Sequence, residues 1–106
     1  MFNRLKFKII NRVNLRVDVY IKNVDNLIPI NDYLHKKFLF SGAKVLLIEY
    51  FDDKRAAKGY FKAIADNKVD DRELDRMEEH YIAEMNRNTA DLRLHNNNEL
   101  LKKYYL

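Results

Sequence analysis

Apolar and charged residues alternate along the start of the chain. Leu5, Phe7 and Ile9 share one parity, against Arg4, Lys6 and Lys8 on the other. Val13, Leu15, Val17, Val19 and Ile21 then form a second apolar row, opposite Arg12, Asn14, Arg16, Asp18, Tyr20 and Lys22. Period two over this length predicts two half-buried strands, with Asn11-Arg12 as the hairpin turn between them. Residues 23–30 read as a connection, because Pro29 lacks an amide proton and its ring excludes a central strand or helix interior. Asn31 predicts the N-cap of a short helix beginning at Asp32 and ending near Lys37. Ser41-Gly42 marks a break. The continuous apolar run Lys44–Phe51 predicts a strand buried on both faces, and Phe38-Leu39-Phe40 offers a strand hairpinned to it.

From Asp52 the period becomes helical. Ala56, Tyr60, Ala63 and Ile64 share a face, and Gly59 within it implies close packing, since glycine costs up to ~1 kcal/mol relative to alanine there. Asp70 predicts the cap of a second helix, with Glu73 three residues on as its capping-box partner. Leu74, Met77, Tyr81 and Met85 line its apolar stripe, so this helix ends within residues 86–89 or runs on to His95. The last residues include Leu100, Leu101, Tyr104, Tyr105 and Leu106, an apolar set expected to pack on the domain or on a second copy as a homodimer. Strands followed by helices predict an α+β fold in one domain, residues 1–106. An N-terminal antiparallel sheet of three or four strands over residues 3–51 would pack against two to three C-terminal helices.

The stretch Ala63-Ile64-Ala65-Asp66-Asn67-Lys68-Val69-Asp70-Asp71-Arg72-Glu73-Leu74 resembles the helix–turn–helix junction of tellurite-resistance TerB-like domains. Shared are an Ala-Asp turn, a valine, and acidic residues opening the next helix. That family has a glycine where Asn67 stands here, and its domains are all-helical, unlike the strand pattern of residues 3–22. Local capping accounts for the same residues, and no metal site is carried over.

Composition narrows the chemistry. The 106 residues contain no cysteine, which excludes disulfides, thiolate metal sites and cysteine catalysis. Ser41 is the only serine and sits in no nucleophile elbow; two glycines make neither a P-loop nor a dinucleotide fingerprint. A calcium loop starting at Asp66 fails, because Lys68 and Arg72 fall at ligand positions and Met77 at the twelfth. No cofactor, no metal and no catalytic residue is expected, nor a membrane span. The opening residues do not read as a signal peptide, and a cytoplasmic location is expected. Net charge is +4 but segregated: residues 1–44 carry +6, residues 45–91 carry −4 and residues 92–106 carry +2.

Two surfaces follow from that segregation. The acidic helix would present Asp71, Asp75, Glu78 and Glu79, flanked by Tyr81, with Tyr104 and Tyr105 as further aromatic anchors for another protein. Arg72 and Arg76 dilute this row, so an ordinary solvated helix face is the competing explanation. A carboxylate row could imitate a phosphate backbone and block the basic groove of a nucleic-acid-processing host factor. That suits an inhibitor or adaptor of the kind phages and mobile elements encode, as anti-restriction and anti-CRISPR proteins do. The second surface is the basic hairpin face of Arg4, Lys6, Lys8, Arg12, Arg16, Tyr20 and Lys22, suited to nucleic acid. A non-catalytic protein-binding module is the first expectation and nucleic-acid binding the second. A small ribonuclease-like enzyme comes third, with His80 and Glu79 as its first candidates.

Overall fold

The computed structural model describes residues 6–13, 15–40, 44–67 and 69–104. Its elements run β1 (Phe7–Val13), β2 (Arg16–Ile21), a 3-10 turn (Val24–Asn26), α1 (Leu27–Phe40), β3 (Leu47–Phe51), α2 (Lys54–Asp66), α3 (Asp71–Glu79), β4 (Tyr81–Asn86), β5 (Asp91–Leu94) and β6 (Leu100–Lys103). Among the described residues the strands form one six-stranded sheet, in chain order from β1 to β6. Neighbours are antiparallel except β2 and β3, which are parallel. A parallel pair cannot be closed by a tight hairpin, and α1 supplies the crossover between the two. The fold is α+β, a mostly antiparallel sheet with three α-helices among the described residues.

Helices cover both faces of the sheet. Val17, Val19 and Ile21 of β2 and Ile48 and Tyr50 of β3 join Leu27, Ile30, Leu34 and Phe38 of α1 in one core, which Ala83, Met85 and Leu92 extend. On the opposite face Phe51 and Tyr81 pack with Ala56, Ala57 and Tyr60 of α2, and Leu74 and Met77 of α3 lie against them. Asp53 caps α2 by accepting from the Ala56 amide at 3.0 Å, and Asp70 caps α3 by accepting from the Glu73 amide at 2.9 Å. Asn67 ends α2 in the left-handed conformation, at φ 51°, a geometry asparagine tolerates better than most residues.

Several expectations are corrected. The helix opened by Asp70 stops at Glu79, with His80 as its C-cap, and residues 81–103 form three strands. Tyr81, Ala83 and Met85 are the buried positions of β4, but a register shift between Tyr50 and Phe51, opposite Ala83 and Tyr81, sends Tyr81 to the α2 face while Ala83 and Met85 face α1; the residues read as a helical stripe lie on a strand instead. Phe38-Leu39-Phe40 closes a helix of fourteen residues and is no strand. Pro29 is the third residue of α1, inside the first turn, where no intrahelical bond needs its missing amide proton. Asn31 is no cap: it is fully buried within α1 and accepts from the Tyr50 hydroxyl at 2.6 Å. The hairpin turn lies between Val13 and Arg16, later than Asn11-Arg12. Tyr50 and Phe51 are both fully buried, because β3 is covered on both sides. The junction resembling TerB-like domains is a helix–turn–helix, set on a sheet that an all-helical domain lacks. Ser41, Gly42 and Leu106 lie outside the described residues.

Two stability outcomes follow. Tyr50→Phe removes the donor to a carboxamide that water cannot reach, and should cost about 1–3 kcal/mol in urea unfolding. Adding Asn31→Leu to that variant should recover much of the loss, because both partners then become apolar. At Gly59 an added Cβ would meet only the end of the Met77 side chain, its methyl at 3.4 Å and its sulfur at 3.9 Å. Gly59→Ala should therefore raise stability by up to ~1 kcal/mol in the same assay, the helix-propensity gain outweighing a small shift of a flexible side chain.

Candidate functional site: two clefts divided by one helix

Helix α3 lies with Leu74 and Met77 against the second core. A helix turns 100° per residue, so its remaining positions spread over an arc that faces two ways. Asp71, Asp75, Glu78 and Glu79 cluster on one side of that arc. Glu73 and Arg76 fall on the other.

On the acidic side an open groove of about 920 Å³ runs between α3 and the strands. Asp75, Glu78 and Glu79 form one wall, Ile82 and Leu94 are the apolar part, and His95 stands opposite. The His95 ring stacks on Tyr81, centroids 3.8 Å apart and planes within 4°, and its Nε2 lies 3.3 Å from Glu78 Oε1. Glu78 also accepts from the Tyr60 hydroxyl at 3.2 Å. No lysine or arginine lines this groove among the described residues. Arg76, expected to dilute the acidic row, faces the other cleft.

That cleft lies between α2 and α3 and encloses about 600 Å³. Arg55, Lys58 and Lys62 reach it from α2, and Arg76 and Glu73 from α3. Gly59, Ala56 and Met77 are also in its lining. His80 lines it too, with Nδ1 held 2.7 Å from Asp52 Oδ1. The contact follows from topology. Asp52 leaves β3 where His80 enters β4, and the Asp52 amide donates to the His80 carbonyl at 3.1 Å. The partner of His80 is thus Asp52 and not the neighbouring Glu79.

The aromatic anchors expected beside the acidic helix are not one surface. Tyr81 is buried but contributes to the lining of the acidic groove, and its hydroxyl donates to Glu84 Oε2 at 2.9 Å. Tyr104 is half-buried against α1, donating to Asp32 Oδ1 at 2.5 Å and lying 4.7 Å from the His35 ring. Tyr105 lies outside the described residues.

The basic hairpin row is also divided. A bulge between Ile9 and Asn11 shifts the register of β1. Lys8 therefore pairs with Tyr20 on the α2 face, whereas Arg12 pairs with Val17 and lies over the Phe38 ring at 5.4 Å on the α1 face. Arg16 is committed internally. Its Nε lies 3.1 Å from Asp18 Oδ1, and its guanidinium sits 4.1 Å above Phe61. Tyr20 lies under Lys54 at 5.3 Å. Lys6 and Lys22 are exposed, and Arg4 lies outside the described residues.

Carboxylates also line up across the sheet beneath α2. Register places Asp18 beside Glu49 and Glu49 beside Glu84. Asp18 is fully buried and accepts from Asn11 and Arg16, yet burial still pushes its carboxyl above the ordinary value. Glu49 is 2% exposed and its Oε2 has no hydrogen-bond partner. Burial, then the neighbouring Glu84 and Asp18, raise it to about 8. No three metal-ligating side chains converge among the described residues, and the row lines neither cleft. No sequence pattern marks it, since a strand acid is ordinarily read as solvent-facing.

The class this arrangement defines is a small α+β domain with an acidic groove and a basic cleft back to back. No helix among the described residues is long and apolar enough to cross a membrane. Comparison with family models, curated proteins and solved structures finds no match to this chain.

Glu49 makes stability pH-dependent in a defined direction. The folded protein keeps a proton that the unfolded chain releases at its ordinary value of 4.5. Stability should therefore fall as pH rises from about 4.5 to about 8 and level off above. Glu49→Gln should flatten that limb, gaining on the order of a few kcal/mol at pH 8.5 and little at pH 4.5. Thermal melts across pH on both proteins read this directly.

Proposed function

We propose that the protein is a non-catalytic binding module that takes a basic, amphipathic segment of another protein into its acidic groove. One observation carries this reading. The α3 carboxylates Asp75, Glu78 and Glu79 share an open groove with Ile82 and Leu94, and no lysine or arginine lines it among the described residues. Acidic walls beside apolar side chains complement a segment with lysine or arginine on one side and leucine-like residues on the other. A surface carboxylate row with cations interspersed would be solvated and uninformative; this row is not interspersed on the groove side. Such a module works by occupying a partner's basic surface. A nucleic-acid-processing factor in the cytoplasm is the partner class whose groove has that chemistry, and blocking it would make this chain an inhibitor or adaptor, of the kind phages and mobile elements carry. The hairpin reading has less support, because the bulge and the Arg16–Asp18 pair divide its cations.

The test is anisotropy of a labelled amphipathic Lys/Leu peptide, titrated at about 50 mM and 200 mM salt. Binding should weaken at least tenfold in Asp75→Lys/Glu79→Lys and severalfold in Leu94→Ala, while Lys62→Glu leaves it intact. Amide shift changes should map to α3, β4 and β5. Binding that ignores both variants, or none at millimolar peptide, would overturn the reading.

A further inference from the structure

We infer that the cleft between α2 and α3 is a separate site for adjacent phosphate groups. Arg55, Lys58 and Lys62 stand at i, i+3 and i+7 and share one face of α2, and Arg76 meets them from α3. Seven helical residues span about 10.5 Å, so these three cations form a row and not a point charge. All four side chains are exposed at their helix surfaces.

The decisive feature is that four cations outside any ion pair among the described residues line one concave site. Four other cations, Arg16, Arg93, Lys102 and Lys103, each hold a carboxylate at 2.8–3.3 Å. Among the described residues Arg55, Lys58, Lys62 and Arg76 hold none. The two carboxylates in the lining do not neutralise them. Asp53, which accepts from the Ala56 amide, and Glu73 set two negative charges against four positive ones, so the lining stays net positive. The cations thus outnumber the carboxylates in a concave site, and none of the four is held in an ion pair among the described residues.

The lining also says which part of a ligand is read. It holds four cations and the Asp52-oriented ring of His80, and apart from that imidazole no aromatic ring on which a base could stack. Arginine matches phosphate oxygens with a bidentate fork, and lysine serves as a point charge. The site therefore recognises consecutive phosphates independently of sequence, whether from a free polyphosphate or from the backbone of a nucleic-acid strand. It is distinct from the acidic groove, and the two assignments stand or fall separately.

The probes are sodium tripolyphosphate, by titration calorimetry, and a labelled ten-nucleotide oligothymidine, by anisotropy, at about 50 mM salt. Lys62→Glu/Arg76→Glu should weaken binding at least tenfold while the thermal melt stays cooperative. Lys36→Glu/Lys37→Glu, on exposed positions of α1, should leave it unchanged, as should Asp75→Lys. Tripolyphosphate binding alone assigns a free anion. Oligothymidine binding that tripolyphosphate displaces assigns a strand, and its log-affinity should fall with log-salt at a slope near −0.7 per phosphate contact. Absence of binding by both probes at millimolar concentration, or binding that survives Lys62→Glu/Arg76→Glu, overturns the assignment.

Discussion

The parallel pair β2–β3 is dry on both faces, and the rest of the molecule is arranged around that fact. An ordinary half-buried strand sends one parity to the core and the other to water. Here Tyr50 goes into the layer beneath α1, while Glu49 and Phe51 go into the layer beneath α2. Both parities must be accommodated, so Asp18 and Glu49 are buried because of register. Asp18 is offset by Asn11 and Arg16; Glu49 is accommodated by keeping its proton. The cost also fixes the alignment. A slip of one residue would take Tyr50 away from Asn31 and drive Glu49 into the aliphatic layer with Val17, Val19 and Ile48. The buried acid is a burden on stability and a determinant of strand register.

What could be read in the sequence was whatever depends on near neighbours. The alternation of Phe7 to Ile21 gave the hairpin strands, and Asp70 gave the start of α3, because a cap acts over three residues. The unbroken run at residues 44–51 gave a strand covered on both sides. What failed depended on distant partners. Tyr81 and Met85 lie four apart, which suits a helical stripe; β3 pairs them as a strand instead, and a register shift between them puts the two on opposite faces. Asn31 has the chemistry of a cap, but the Tyr50 hydroxyl gives it a buried role instead. The bulge in β1 is a single extra residue, yet it moves Arg12 to the opposite face from Lys8.

The candidate sites were partly legible for the same reasons. Three of the α3 carboxylates, Asp75, Glu78 and Glu79, line one groove, as helical periodicity alone would group them, whereas Asp71 is not part of its lining. Of the tyrosines expected to accompany them, Tyr81 lines the groove and Tyr104 lies against α1. The basic cleft was missed because charge was summed over residues 45–91, which come out at −4. Its signal was present as the i, i+3, i+7 spacing of Arg55, Lys58 and Lys62. The partner Arg76 could be assigned only once the angle between α2 and α3 was known.

The two clefts keep opposite signs although α3 separates them by a single helix. Sequence neighbours do not face each other on a helix: Asp75 and Arg76 are turned 100° apart, so they neither pair nor neutralise. A helix with its side chains is about 10–12 Å across, while charge is screened over about 8 Å at physiological salt. A ligand in one cleft is therefore governed by the charges lining it, with the opposite set largely attenuated. Lowering the salt removes that separation, and each cleft then feels the other as a counter-charge. The short α3, held by Leu74 and Met77 and capped by Asp70 and His80, lets a chain of modest net charge present two strongly charged surfaces. Net charge alone would describe neither.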